Sequence, residues 1–133
     1  MAQTDRETLF TNEAFVVGML QAVSGGAVVA AIAQSESLVK LAGRTSFLLF
    51  VTSASLALGL AIVAAYWRHQ YKMWDVKALA SASQGKSDEA TARGRRSGYY
   101  LWGMRYSVVA ALLSLLFALA QFVVSLWLSA PRP

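Results

Sequence analysis

His69 is the one histidine in the chain, and there is no cysteine. A bis-histidine haem, a zinc site and an iron–sulfur cluster each draw on several His or Cys side chains, so none of them can be assembled here. With Arg68 beside it at the edge of an apolar stretch, His69 reads as a solvated interfacial side chain. Serine and threonine are plentiful, but a hydroxyl becomes a nucleophile only with a base within hydrogen-bond reach, and the sequence supplies no such pair. Gly85-Lys86-Ser87 has the ending of a phosphate-binding loop. That motif requires another glycine five positions before Gly85, where Ala80 stands, and a strand ahead of it. The expectation is a protein that is not an enzyme and that uses no cofactor and no metal.

Two amides and a set of arginines remain. Gln21 and Gln121 lie inside long apolar runs, where an amide is costly unless hydrogen-bonded. They are expected to bond between helices, or alternatively to line a pore in an oligomer. They fall near the cytoplasmic third of one run and the outer third of another, so they are not expected to pair with each other. Arg93, Arg95, Arg96 and Arg105 form a basic group suited to anionic lipid headgroups or a partner. The same residues also serve to fix the direction of insertion.

Small residues supply the strongest pattern. Gly18, Ala22, Gly26 and Ala30 recur at every fourth position, with Gly25 and Ala33 on their flank. Ser55 with Gly59, then Ala57, Ala61 and Ala65, and later Ala110, Ser114 and Ala118 repeat the theme. Lipid tails are as apolar as leucine, so helices in a bilayer associate through close backbone approach, which small side chains permit. Gly18, Ala22, Gly26, Ala30, Ser55 and Gly59 are therefore the expected helix-packing residues.

The elements that hold these residues follow from charge distribution. The chain is 56% hydrophobic and 14% charged, against about 25% charged residues in a soluble domain. No charge falls in Ala14–Gln34, Thr45–Trp67 or Tyr106–Leu128. A bilayer core about 30 Å thick takes about 20 apolar helical residues, so each run can cross alone. Ala31-Ile32-Ala33 resembles a signal-peptidase site. The segment ahead of it, however, is acidic rather than basic, and the apolar run exceeds the length usual for a signal. The first run is read as a retained span.

Lys and Arg set the orientation. The segment 68–105 carries eight of them, against two, Lys40 and Arg44, between the first and second runs. The longer segment is expected to be cytoplasmic, with the N-terminus on the same side and the Ala130–Pro133 tail outside. Tyr66, Trp67, Tyr71 and Trp74 at one boundary, and Tyr99, Tyr100, Trp102 and Tyr106 at the next, are interfacial residue types. Residues 68–83 lack Gly and Pro and place Tyr71, Trp74 and Ala78 on one face, so the second helix should extend to about Ser83. A short separate helix is expected from Ser87, capped by its hydroxyl and ended before Gly98.

Together these readings predict an all-α integral membrane protein with three transmembrane helices, the second extended into the cytoplasm. It forms one membrane domain over 1–133: an N-terminal segment 1–13, spans 14–34, 45–67 and 106–128, and a basic cytoplasmic segment 68–105. No ionisable residue lies mid-span and no repeat is present, which argues against active transport. The net charge of +5 is accounted for by the positive cytoplasmic flank rather than by nucleic acid. The functional expectation is a small non-catalytic subunit of a bacterial inner membrane, in a homo-oligomer or a larger membrane complex and touching anionic lipid. The alternative is a self-assembling pore, holin-like or membrane-disrupting.

Overall fold

An apolar run too long to be solvated satisfies its own backbone hydrogen bonds most readily as a helix. The computed structural model describes residues 2–129, with side chains from Thr11 to Ser129, and these residues form four helices. They are α1 (Ala2–Ala33), α2 (Ser35–Ala42), α3 (Arg44–Ser83) and α4 (Ser87–Ser129). Stretches of α1, α3 and α4, namely Thr11–Ala33, Arg44–Ser83 and Ser87–Ser129, are long and apolar enough to cross a membrane. The Ala130–Pro133 tail, expected outside, lies beyond the described residues, as does the side chain of Arg6.

α3 is the central element. α4 runs antiparallel along most of its length, α1 packs on its first half, and α1 and α4 touch only lightly. The α3–α4 register is fixed by pairs from end to end. Ser46 meets Ser125, Phe50 meets Phe122 at 5.1 Å between rings, Trp67 meets Tyr100, and Ser81 meets Arg93. Where all three long helices meet, the interior is a stack of three layers: Val17, Ala64 and Met104; Leu20, Ala61 and Ala111; Ala31, Phe50 and Ala118. Alanine recurs on α3 and α4 because these two backbones run close together along most of their length.

Two connections differ from expectation. Residues 35–42 are a helix rather than a plain connection: α2 turns back under the bundle, with Ala42 buried and Leu38 packed on the Phe50 layer. Gly43 then redirects the chain at φ +81° and ψ 155°, a conformation essentially reserved for glycine. The short helix expected from Ser87 is instead the start of one 43-residue helix. Gly94 and Gly98 do not break it, because α4 leans on α3 throughout and tertiary packing outweighs the cost of a helical glycine. The Lys86 carbonyl accepts from the Ala90 N–H, so Ser87 is the first helical residue rather than the cap.

α3 ends where the sequence suggests, at Ser83. Lys86 N–H donates to the Ser81 carbonyl and Gly85 N–H to that of Ala82, with Gly85 at φ +73°. This is a Schellman closure, which needs a left-handed residue after the cap. At about 1.5 Å per residue, α3 is about 60 Å long and α4 about 64 Å, about twice the hydrocarbon thickness of about 30 Å. Their Gln84–Lys86 end is therefore an antiparallel stalk standing clear of the apolar part.

Candidate functional site

The small-residue stripe of α1 faces away from the bundle. Gly18, Ala22, Gly26 and Ala30 are all exposed, and a Cβ built on Gly18 or Gly26 would meet nothing within 4 Å. The inward face of α1 is a different row, Val17, Leu20, Ser24 and Ala31, all buried. Valine and alanine recur along α1, so the sequence alone does not mark this row as the inward one.

On α3 the same division holds. Ser55 and Gly59 are exposed and Gly59 has open space around it, while Ala54, Ala57, Ala61 and Ala64 are fully enclosed. On α4 the enclosed row is Ala111, Leu115 and Ala118, and Ala110 and Ser114 are half-buried beside it. Intramolecular packing thus uses one set of small residues and leaves another, on α1 and α3, bare.

The two span amides behave differently. Gln21 is half-buried and its Nε2 donates to the Ala61 carbonyl of α3 over 3.5 Å, a long bond between helices. Gln121 is half-buried with its Oε1 enclosed and unbonded, while its backbone carbonyl accepts from Ser125 Oγ at 2.9 Å. Ser125 Oγ also lies 2.8 Å from Ser46 Oγ, a polar link between α4 and α3. Ser24 Oγ is likewise enclosed without a partner.

The basic group divides into structural and outward members. Arg93 closes the stalk: it donates to Ser81 Oγ at 2.6 Å and to the Lys77 carbonyl at 3.3 Å, and pairs with Glu89 at 3.1 Å. Arg96 lies 5.0 Å over the Trp74 ring and Lys77 4.9 Å from it, cation–π contacts that hold both charges on the stalk surface. Arg95 and Arg105 are exposed. Between stalk and span, Trp67 packs among Tyr66, Tyr99 and Tyr100. Gly103 meets its flat face so closely that an added Cβ would lie 3.0 Å from the ring.

A groove between α1 and α4, not read in the sequence, exists because both helices lean on α3 rather than on each other. Glu13 and Arg105 stand at its mouth. His69 is exposed. Among the described residues, no three His, Asp or Glu side chains gather as a metal site would need. No protein-family model, curated protein or solved structure matches this chain.

Proposed function

We propose that this chain is a small, non-catalytic, multi-pass membrane subunit that assembles with further copies of itself through the outer faces of α1 and α3. The observation that carries this reading is the bare stripe of Gly18, Ala22, Gly26 and Ala30. A helix that only faced lipid would gain from large side chains, and α4 is furnished that way, with Leu113, Leu116, Phe117 and Val123 turned outward. The stripe instead offers a shallow channel along which another helix backbone can approach closely, gaining dispersion contact that lipid does not supply. Ser55 and Gly59 extend the small-residue surface onto α3.

The proposed setting is an inner membrane, with the stalk and its cations on the cytoplasmic side and anionic headgroups around the stalk base. The inward use of Gln21, spent on the α3 carbonyl, fits a packing residue better than a pore lining. The test is native mass spectrometry of the full chain in mild detergent. A closed homo-oligomer is expected, and Gly26→Leu should convert it to monomer with helicity retained. A wild-type monomer, or an oligomer that Gly26→Leu leaves intact, would overturn the proposal. A stoichiometric foreign partner in place of self-association would transfer the stripe to that partner.

A further inference from the structure

The groove between α1 and α4 has two parts. Near its mouth it encloses about 390 Å³, walled by Val16, Val17, Met104, Val108 and Val109, with Asn12, Glu13 and Arg105 at the rim. It continues as a second recess of about 240 Å³ between Leu20 and Val23 on one side and Leu112 and Leu115 on the other. From Asn12 to Val23 the groove runs about 16 Å along α1, about half of a bilayer core some 30 Å thick. It therefore reaches from one interface to the bilayer middle, the depth of a single leaflet.

The rim chemistry is as specific as the walls are not. Arg105 is exposed on α4, one position from the stacked Trp102–Tyr106 pair that marks the interface on that helix. Glu13 faces it from α1, and among the described residues no ion pair joins the two. One Glu13 carboxylate oxygen is enclosed without any hydrogen-bond donor, a costly arrangement, while Glu13 as a whole is half-buried and lines the groove. A cation and an anion side by side above an apolar slot one leaflet deep complement a zwitterion that carries an acyl chain.

We infer that the α1–α4 groove binds one phospholipid with a primary ammonium headgroup, its phosphate on Arg105, its ammonium on Glu13 and an acyl chain between α1 and α4. A primary ammonium donates hydrogen bonds to a carboxylate. The quaternary ammonium of a choline headgroup has no N–H to donate, and a glycerol headgroup leaves net negative charge beside Glu13. The site rests on the membrane reading given above, and it does not require self-assembly.

The test uses the full chain, delipidated in mild detergent and offered phosphatidylethanolamine, phosphatidylcholine or phosphatidylglycerol with matched acyl chains, with retained lipid counted by native mass spectrometry. One phosphatidylethanolamine per chain is expected, favoured over phosphatidylcholine by about tenfold or more, the range of one charge-assisted hydrogen bond. Glu13→Gln should bring that ratio close to one, and Arg105→Gln should weaken retention of every phospholipid. Val109→Trp, at an exposed position of the groove wall, should fill the slot and abolish retention with helicity unchanged. Equal retention of the three lipids, or an undiminished preference in Glu13→Gln, would overturn the assignment. Failure of the membrane reading would register separately, as recovery of the chain in buffer without detergent. Failure of the assembly reading would register in the subunit number alone.

Discussion

At the scale of single residues, three glycines of α4 sit in the same helix with opposite consequences. Gly94 and Gly98 have no neighbour within 4 Å of an added Cβ, so their lack of a side chain costs helix stability and contributes nothing to packing. Gly103 is different, because the Trp67 ring lies where its Cβ would go and Tyr66, Tyr99 and Tyr100 hold that ring in place. The same substitution should therefore change sign along one helix. Gly94→Ala is expected to stabilise by about 0.5–1 kcal/mol, the helix-propensity gain. Gly103→Ala is expected to destabilise by about 1 kcal/mol net, overpacking of about 1–3 kcal/mol outweighing that gain. Thermal unfolding followed by circular dichroism in detergent reads both, and a rise in melting temperature for Gly103→Ala would mean that the Trp67 ring moves freely. The enclosed amide oxygen of Gln121 and hydroxyl of Ser24 belong to this scale too. Both helices place a polar oxygen inward without a partner, whereas Gln21 bonds to α3.

At the scale of elements, the stalk depends on a sharp reversal between two helices of about 60 Å or more. Gly85 supplies the left-handed residue at φ +73°, and Ser81 is tied both into the turn, through its carbonyl, and to Arg93, through its hydroxyl. A residue with a Cβ in that conformation costs about 1–2 kcal/mol, asparagine less. Gly85→Val is accordingly expected to loosen the stalk tip, raising amide hydrogen exchange over residues 78–92 while leaving the span layers protected, and Gly85→Asn to do so more weakly. Unchanged exchange at the tip would show that the turn carries no constraint. The three apolar runs and the end of α3 were legible in the sequence, because absence of charge and the Ser83-Gln84-Gly85 signal are local properties. The continuity of α4 was not. Gly98 read as the end of a short helix, whereas the long antiparallel contact with α3 carries the helix through it. Which face of α1 turns inward was equally hidden, since Val17, Leu20, Ser24 and Ala31 are unremarkable residues for any face of a span. The α1–α4 groove belongs to neither helix alone and could not be read from either.

At the scale of the whole molecule, the distribution of charge is the quantity that sets direction. The stalk side of the chain, residues 68–105, carries eight Lys and Arg, while the α2 side carries Lys40 and Arg44. By the positive-inside rule this asymmetry supports the proposed orientation, with the stalk on the cytoplasmic side. Arg93 and Arg96 are held on the hairpin by Ser81, Glu89 and Trp74, within the segment that carries this bias. Because the chain has no cysteine, a single introduced thiol reports its side of the membrane without background. Gln84→Cys at the stalk tip should react with a membrane-impermeant maleimide only in inverted vesicles. Ser37→Cys on α2 should react only in intact, right-side-out cells. The reverse pattern would invert the molecule and set its cations against the outer leaflet. Labelling of both positions from one side would be more severe, because α3 joins α2 to the stalk, and the chain could not then cross the membrane at α3. Since α1 and α4 both pack on α3, the bundle's place in the bilayer stands or falls with that one helix.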